Sequence, residues 1–155
     1  MNNIYLIGMP LAGKSTLARL LGKKLNIEVI DTDELLLQYG LTKEAAINLP
    51  DTFRQEETKL YLNDYNKPFV MATGGGVISD AKNFLNFKGL IIYLYLDPAS
   101  LYYRSTKYYH PVYEKFNYLQ LFEKRDPIYR QYANLIIDVS SSDLSQVVKD
   151  IINKL

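Results

Sequence analysis

The chain has no cysteine among its 155 residues, which removes disulfide bonds and thiolate metal sites and fits a reducing compartment. It has no excess of either charge. Eighteen basic side chains stand against 17 acidic ones, a formal net charge of +1, so bulk electrostatics recruits neither nucleic acid nor an anionic membrane surface. The longest apolar run, Leu90 to Leu96, is far below the length of a bilayer span, and no basic leader with an apolar stretch opens the chain. A cytoplasmic protein with no membrane and no nucleic-acid partner is expected, of one domain's length and able to bury a real core. Internal repeats, low-complexity tracts and linkers are missing, and the 14 tyrosines are scattered as half-buried packing positions are. Histidine occurs once, at position 110, and arginine only at 19, 54, 104, 125 and 130 in a chain that otherwise uses lysine. That bias makes each arginine a candidate for a place needing a planar, bidentate donor.

What is present begins with Gly8-Met9-Pro10-Leu11-Ala12-Gly13-Lys14-Ser15-Thr16. Ile4 to Ile7 ahead of it is apolar and β-prone, and Leu17, Leu20, Leu21 and Leu25 behind it recur at helical spacing. The segment therefore reads strand, glycine loop, helix. Glycines let consecutive N–H groups curl toward one cavity, and the helix start adds the positive end of its dipole. Leu11, Ala12, Gly13, Lys14, Ser15 and Thr16 are thus expected to cradle nucleotide phosphates, with Lys14 reaching the β- and γ-phosphates and Ser15 ligating Mg²⁺. An ordinary glycine turn is the alternative, and the complete pattern in its context disfavours it.

Strand-like runs follow at 27–30, 69–72, 90–96 and 134–139, alternating with helical patterns at 34–39, from 50 to about 65, onward from Asp97-Pro98, and at 144–155. Runs this apolar are buried on both faces, which predicts an α/β fold, a three-layer sandwich around a five-stranded parallel sheet. Ligands in such sheets bind beyond the carboxyl ends of the strands. Asp31-Thr32-Asp33 follows the second strand and Gly74-Gly75-Gly76 the third. Beside a metal-bound nucleotide, one carboxylate belongs near the metal's water shell and another near the acceptor hydroxyl, a pair that Asp31 and Asp33 supply. Taken alone, Asp33 reads as a helix N-cap and Asp31 as a turn residue. The glycines form either a flexible turn or a place where a ligand meets bare backbone. Arg54 and Glu57, three apart on a predicted helix, share a face, as a plain surface ion pair would. Arg125, in Lys124-Arg125-Asp126-Pro127, stands at an expected helix irregularity.

Together these residues resemble the shikimate kinases, small P-loop enzymes of nucleoside-monophosphate-kinase-like fold that transfer the ATP γ-phosphoryl group to the 3-hydroxyl of shikimate. The resemblance spans nearly the whole chain: GMPLAGKST, DTD at 31–33, FRQEE at 53–57, TGGG at 73–76, LYYR at 101–104 and RDPIYRQYA at 125–133. It implies a single domain over 1–155, with an acceptor-binding segment at about 31–65 and a short lid at about 105–117. Lys14 would neutralise charge on the transferred phosphoryl, and Ser15 would hold Mg²⁺ with Asp31 acting through water. Asp33 would orient the attacking hydroxyl and take its proton. Arg54 and Arg125 would clamp the shikimate carboxylate, Glu57 would fix Arg54, and the backbone at Gly74, and above all at Gly75 and Gly76, would hold the ring hydroxyls. Ile137 to Ser140 would lie beside the adenine. ATP and Mg²⁺ are the implied cofactors, shikimate the small-molecule partner, and a monomer the implied state. The rival readings are a gluconate or nucleotide kinase on the same scaffold and a non-catalytic nucleotide-binding paralogue. A guanine-specific switch is disfavoured, because Asn66-Lys67 continues as Pro68-Phe69.

Three departures from the family pattern stand out. Leu11 occupies a position that is usually glycine, so the loop there is expected to take a backbone that a branched side chain tolerates. The stretch Ala46 to Thr52 is short. The lid's usual Arg-Pro is His110-Pro111, and a histidine is mostly neutral at pH 7. His110 is then either an exposed loop residue or a replacement for that arginine, with Arg104 or Lys107 supplying part of the charge. The lid is expected to lie open or disordered unless a ligand closes it.

Overall fold

Five strands, β1 (Asn3–Ile7), β2 (Glu28–Asp31), β3 (Phe69–Ala72), β4 (Gly89–Tyr95) and β5 (Leu135–Asp138), form one sheet in the order β2-β3-β1-β4-β5, every neighbouring pair parallel. The computed structural model describes residues 2–80, 82–141 and 143–155. Successive side chains of a strand point to opposite faces, yet Ile4, Tyr5, Leu6 and Ile7 of β1 and all four residues of β3 are buried. Both faces must therefore be covered, which gives the expected helix, sheet, helix layers. Each fully buried Leu or Ile here is worth about 1.5–3 kcal/mol of burial.

The helices are α1 (Lys14–Leu25), α2 (Thr32–Gln38), α3 (Ala45–Asn48), α4 (Pro50–Leu62), α5 (Lys82–Leu85), α6 (Pro98–Lys107), α7 (Val112–Lys115), α8 (Tyr118–Tyr132) and α9 (Leu144–Lys154). Helix α2 starts at Thr32 rather than at Glu34 because Asp31, not Asp33, is its cap: Oδ1 of Asp31 accepts from the N–H groups of Asp33 and Glu34 at 3.1 and 3.3 Å. Helix α4 stops at Leu62, short of Tyr65, where Asn63 turns extended with ψ 143° and the Tyr65 hydroxyl donates to the Leu60 carbonyl at 3.0 Å. Helix α8 runs through Pro127 unbroken, so the irregularity expected at Arg125 is absent. The Asp126 carboxylate receives the Tyr93 hydroxyl at 2.7 Å and Arg130 Nε at 2.9 Å, tying the helix to β4 beside the proline. Leu36, Ala45 and Phe53, from α2, α3 and α4, form a small core of their own, separate from the cluster on the sheet.

Candidate active site

Gly13, at φ +94°, caps α1 without a side chain, so the first N–H groups of this helix stay available to an anion at the end of β1. Lys14 opens the helix with its ammonium nearly buried, donating to the carbonyls of Gly8 and Met9 at 2.6 and 2.9 Å. Burial outweighs the attraction of Asp33 and draws its pKa down to about 8. Leu11 corrects the expectation for this loop. Its φ is +72°, the left-handed region that a branched side chain does not favour. Two side chains from later in the chain hold that turn: the Tyr113 hydroxyl donates to the Pro10 carbonyl at 2.7 Å, and Arg104 Nη1 to the Leu11 carbonyl at 2.9 Å, its Nη2 reaching the Val139 carbonyl at 3.3 Å.

Beyond the ends of β2 and β3 lies a cavity of about 300 Å³ walled by Asp33, Arg54, Glu57, the three glycines and Arg125. A second, of about 190 Å³, contains Lys14, Ser15 and Thr16 and shares Asp33, Lys43, Gly75 and His110 with the first. The arginines of α4 and α8 therefore face the void that adjoins the phosphate loop, although neither helix is near the loop in sequence.

The two carboxylates of this cavity differ in their surroundings. Glu57 is 1% exposed; its Oε1 pairs with Arg54 Nη1 at 2.8 Å, whereas its Oε2 has no partner among the described residues. Burial pushes its pKa up, opposed by Arg54. Asp33 is likewise pushed up by burial, with Lys14 as the largest opposing charge, so it is a stronger base than an ordinary aspartate. Tyr61, buried beside Glu57, has a hydroxyl with no partner among the described residues, and its own pKa is raised.

The glycines divide the work. Gly74 donates its N–H to Thr32 Oγ1 at 3.1 Å, so that amide is committed; a Cβ there would stand 2.8 Å from Glu57 Oε2 and 3.1 Å from Asp33 Oδ1. At Gly76 a Cβ would strike the Arg54 guanidinium. The N–H groups of Gly75 and Gly76 make no hydrogen bond among the described residues, and both glycines line the cavity. The Gly75 carbonyl accepts from Arg125 Nη1 at 2.9 Å and from the Tyr129 hydroxyl at 2.6 Å. Tyr129 lies within the RDPIYRQYA run but has no role in the sequence reading, although its place four residues after Arg125 on one helix puts the two on the same face.

A third cavity, of about 470 Å³, brings Ser15, Asp31, Asp33 and Glu34 together. Only Oδ1 of Asp31 is used by the helix cap, so its other oxygen, without a partner among the described residues, can accept from a metal's water, and a hydroxyl beside carboxylates is a donor set that suits Mg²⁺. On the outer side of the loop a groove of about 650 Å³ runs past Gly13, Thr16, Ser100, Arg104 and Ser140. Arg104 faces this groove and the loop carbonyls and is not among the residues lining the cavity of Arg54 and Arg125.

The segment from 105 to 117 is folded onto the loop, not open. Pro111 and Val112 are buried, α7 forms one turn, and Tyr113 is bonded to Pro10. His110 is half-buried rather than exposed. Its Nδ1 accepts the Val112 N–H at 3.1 Å, and burial together with the charges of Lys43, Lys14 and Arg125 lowers its pKa to about 3. At pH 7 it is neutral. Lys43, which no motif marks, lines all three cavities around Asp33.

The family model described as shikimate kinase matches residues 10–155. The shikimate kinase of Acinetobacter baumannii (strain AYE) is 36% identical over 175 residues, covering 99% of this chain and 94% of that protein. A solved structure of shikimate kinase from Acinetobacter baumannii in complex with shikimate superposes with a TM-score of 0.83 at 27% identity, over 99% of this chain and 92% of that one. Shikimate kinase from Bacteroides thetaiotaomicron does so with a TM-score of 0.81 at 25% identity, over 99% of both chains. With a phosphate loop after β1, paired aspartates at the end of β2, three glycines after β3 and a family match that runs from Pro10 to the last residue, the chain belongs to the shikimate kinase family.

Proposed function

We propose that this protein transfers the γ-phosphoryl group of ATP to the 3-hydroxyl of shikimate, as a cytoplasmic monomer of one domain in which 31–65 binds the acceptor and 105–117 closes over the nucleotide. The observation that carries the reading is the convergence of Arg54 and Arg125, from α4 and α8, on a cavity that contains Asp33 and adjoins Lys14. Two guanidiniums suit a planar carboxylate, and Arg125 engages Gly75 through Nη1, leaving its other nitrogens for the acceptor.

With the carboxylate held there, the N–H groups of Gly75 and Gly76 donate to ring hydroxyls, the Gly75–Gly76 peptide plane, and with it the Gly76 N–H, fixed by the two donors on the Gly75 carbonyl. Asp33 accepts the hydrogen bond of the attacking hydroxyl and takes its proton as the new O–P bond forms and the bond to ADP breaks. Its raised pKa favours that role. Lys14 lies against the same space and offsets the charge that builds on the transferred group. Ser15 and, through water, Asp31 are the residues that would hold Mg²⁺, which when bound neutralises phosphate charge. The remaining contribution is alignment, which is most of what phosphoryl transfer requires.

ADP release in a coupled assay tests this, with shikimate, gluconate and nucleoside monophosphates as acceptors. Shikimate alone should support turnover. Asp33→Asn should lower kcat by about 10²–10⁴-fold, and Arg125→Ala should lower kcat/KM by about 10–100-fold, while both still bind ATP. Turnover with gluconate in place of shikimate would replace the acceptor, and ATP binding with no acceptor-dependent turnover would leave a nucleotide-binding module.

A further inference from the structure

Besides the metal that neutralises phosphate charge when bound, phosphoryl transfer draws on the protein's own cations to meet the charge spread over three equatorial oxygens, and the phosphate loop itself supplies one, Lys14. The other cations near the site are held elsewhere. Lys115 lies over the Phe116 ring at 5.7 Å and lines the acceptor cavity but neither of the other two, and Arg19, in the cavity of Ser15 and Asp31, pairs with Glu34 at 3.3 Å. Arg54 is paired with Glu57, Arg104 is fastened to the carbonyls of Leu11 and Val139, and Arg125 is anchored on Gly75. Lys107 lies over the rings of Tyr103 and Tyr108, at 5.7 and 5.4 Å, on the outer groove. His110 is neutral at pH 7.

Lys43 is different. Its side chain makes no hydrogen bond and no ion pair among the described residues, and it lines the acceptor cavity, the phosphate-loop cavity and the cavity of Ser15 and Asp31. Only Asp33 shares all three positions with it. Its charge is the first after burial in lowering the His110 pKa and acts, behind nearer charges, on Asp33 and Lys14, so the ammonium is within electrostatic reach of the groups around the transfer point. It stands between α2 and α3, on the segment with its own small core. The next residue, Glu44, meets the hydroxyl of Tyr109 at 3.5 Å, so this segment touches the 105–117 segment one residue from His110.

Resting on the phosphoryl-transfer reading above, we propose that Lys43 supplies the second positive charge to the transferring phosphoryl group, delivered from the acceptor-binding segment in place of a cation on the lid. A lysine suits this: a compact charge on a flexible four-carbon stem can follow the group from donor to acceptor. The neutral histidine opposite is then a consequence, since a second charge at position 110 would face Lys43, Lys14 and Arg125 together.

The test uses Lys43→Met, Lys43→Arg and the double variant Lys43→Met/His110→Arg in the full chain. Lys43→Met should lower kcat by about 10²-fold with the KM for shikimate within about twofold, and should weaken a non-hydrolysable ATP analogue about fivefold or more while leaving ADP unchanged. Lys43→Arg should retain most of the activity, and the double variant should regain about tenfold over Lys43→Met. A Lys43→Met enzyme with wild-type kcat and wild-type discrimination between the ATP analogue and ADP overturns the proposal. So does a loss confined to the KM for shikimate, which would put Lys43 on the acceptor. If the wild-type protein shows no shikimate-dependent turnover, the functional reading fails separately, and the comparison of ATP analogue with ADP still decides the place of Lys43.

Discussion

Tyr113 donates its phenolic hydrogen to the carbonyl oxygen of Pro10 across 2.7 Å, one residue before Leu11 takes φ +72°. The segment that carries His110 and the loop that precedes Lys14 are thereby one mechanical unit, clasped a second time by Arg104 on the Leu11 carbonyl. Moving the segment from 105 to 117 changes how the strained turn of the phosphate loop is held.

Tyr113→Phe removes the donor and leaves a part-buried carbonyl without its partner, a loss of about 1 kcal/mol. The effect should be local. Amide hydrogens in 105–117 should exchange about fivefold faster by mass spectrometry, with the strands of the sheet unaffected. Unchanged exchange would mean that this bond does not restrain the segment.

Leu11→Gly relieves a left-handed conformation that costs an L-residue roughly 1–2 kcal/mol, against roughly 0.4–1 kcal/mol of added freedom in the unfolded chain. The net expectation is a gain of about 0.5–1 kcal/mol and a rise in Tm of about 1–4 °C. Leu11→Ala, which keeps a Cβ, should not share it. Thermal melts of the three proteins decide, and a lower Tm for the glycine variant would refute strain at this position.

Lys14 has a pKa lowered to about 8 by burial, and a phosphate beside it favours the charged form. ATP should therefore bind the protonated protein. Affinity is level below pH 8 and falls toward tenfold per unit above it, with proton uptake on binding between pH 8 and 9. Calorimetry in buffers of different ionisation enthalpy measures both, and an affinity constant to pH 9.5 would contradict the assignment.

His110 titrates at about 6.5 in an unfolded chain and at about 3 in the folded one, so the folded state binds fewer protons in between. The stability it lends is complete above pH 6.5 and is lost as the pH falls toward 3. Discounted for the partial exposure of the ring, the loss by pH 5 is about 1 kcal/mol. Urea midpoints should fall from pH 7 to pH 5 in the wild type and less in His110→Gln. Parallel profiles would place the titration elsewhere.

What could be read from the chain was whatever short-range chemistry writes locally. The phosphate loop is legible because glycine, lysine and serine must stand at set intervals between a strand and a helix. Asp97 ahead of Pro98 announces α6, and its carboxylate does accept the Ser100 N–H at 2.7 Å. Gly40 closes α2 at φ +79°, as a glycine after a helix should. Asp33 was open to two readings, and the structure gives the cap to Asp31, a choice that depends on where β2 ends. Leu11 shows the reverse: the residue type argued for a tolerant backbone, and contacts from residues 93 and 103 positions away outweighed it.

Sequence alone therefore determined the parallel α/β architecture and the gathering of the loop, the aspartates and the glycines at one sheet edge, because strand period and turn chemistry are local and a parallel sheet collects its strand ends. Tertiary structure decided that Arg54 and Arg125 share a cavity, that Tyr129 and Arg125 meet on one carbonyl, that His110 is half-buried with its pKa drawn down to about 3, and that Lys43 lines the same three cavities as Asp33. Those facts depend on burial and on charges brought together from distant parts of the chain, and neither burial nor distance through space is written in the order of the residues.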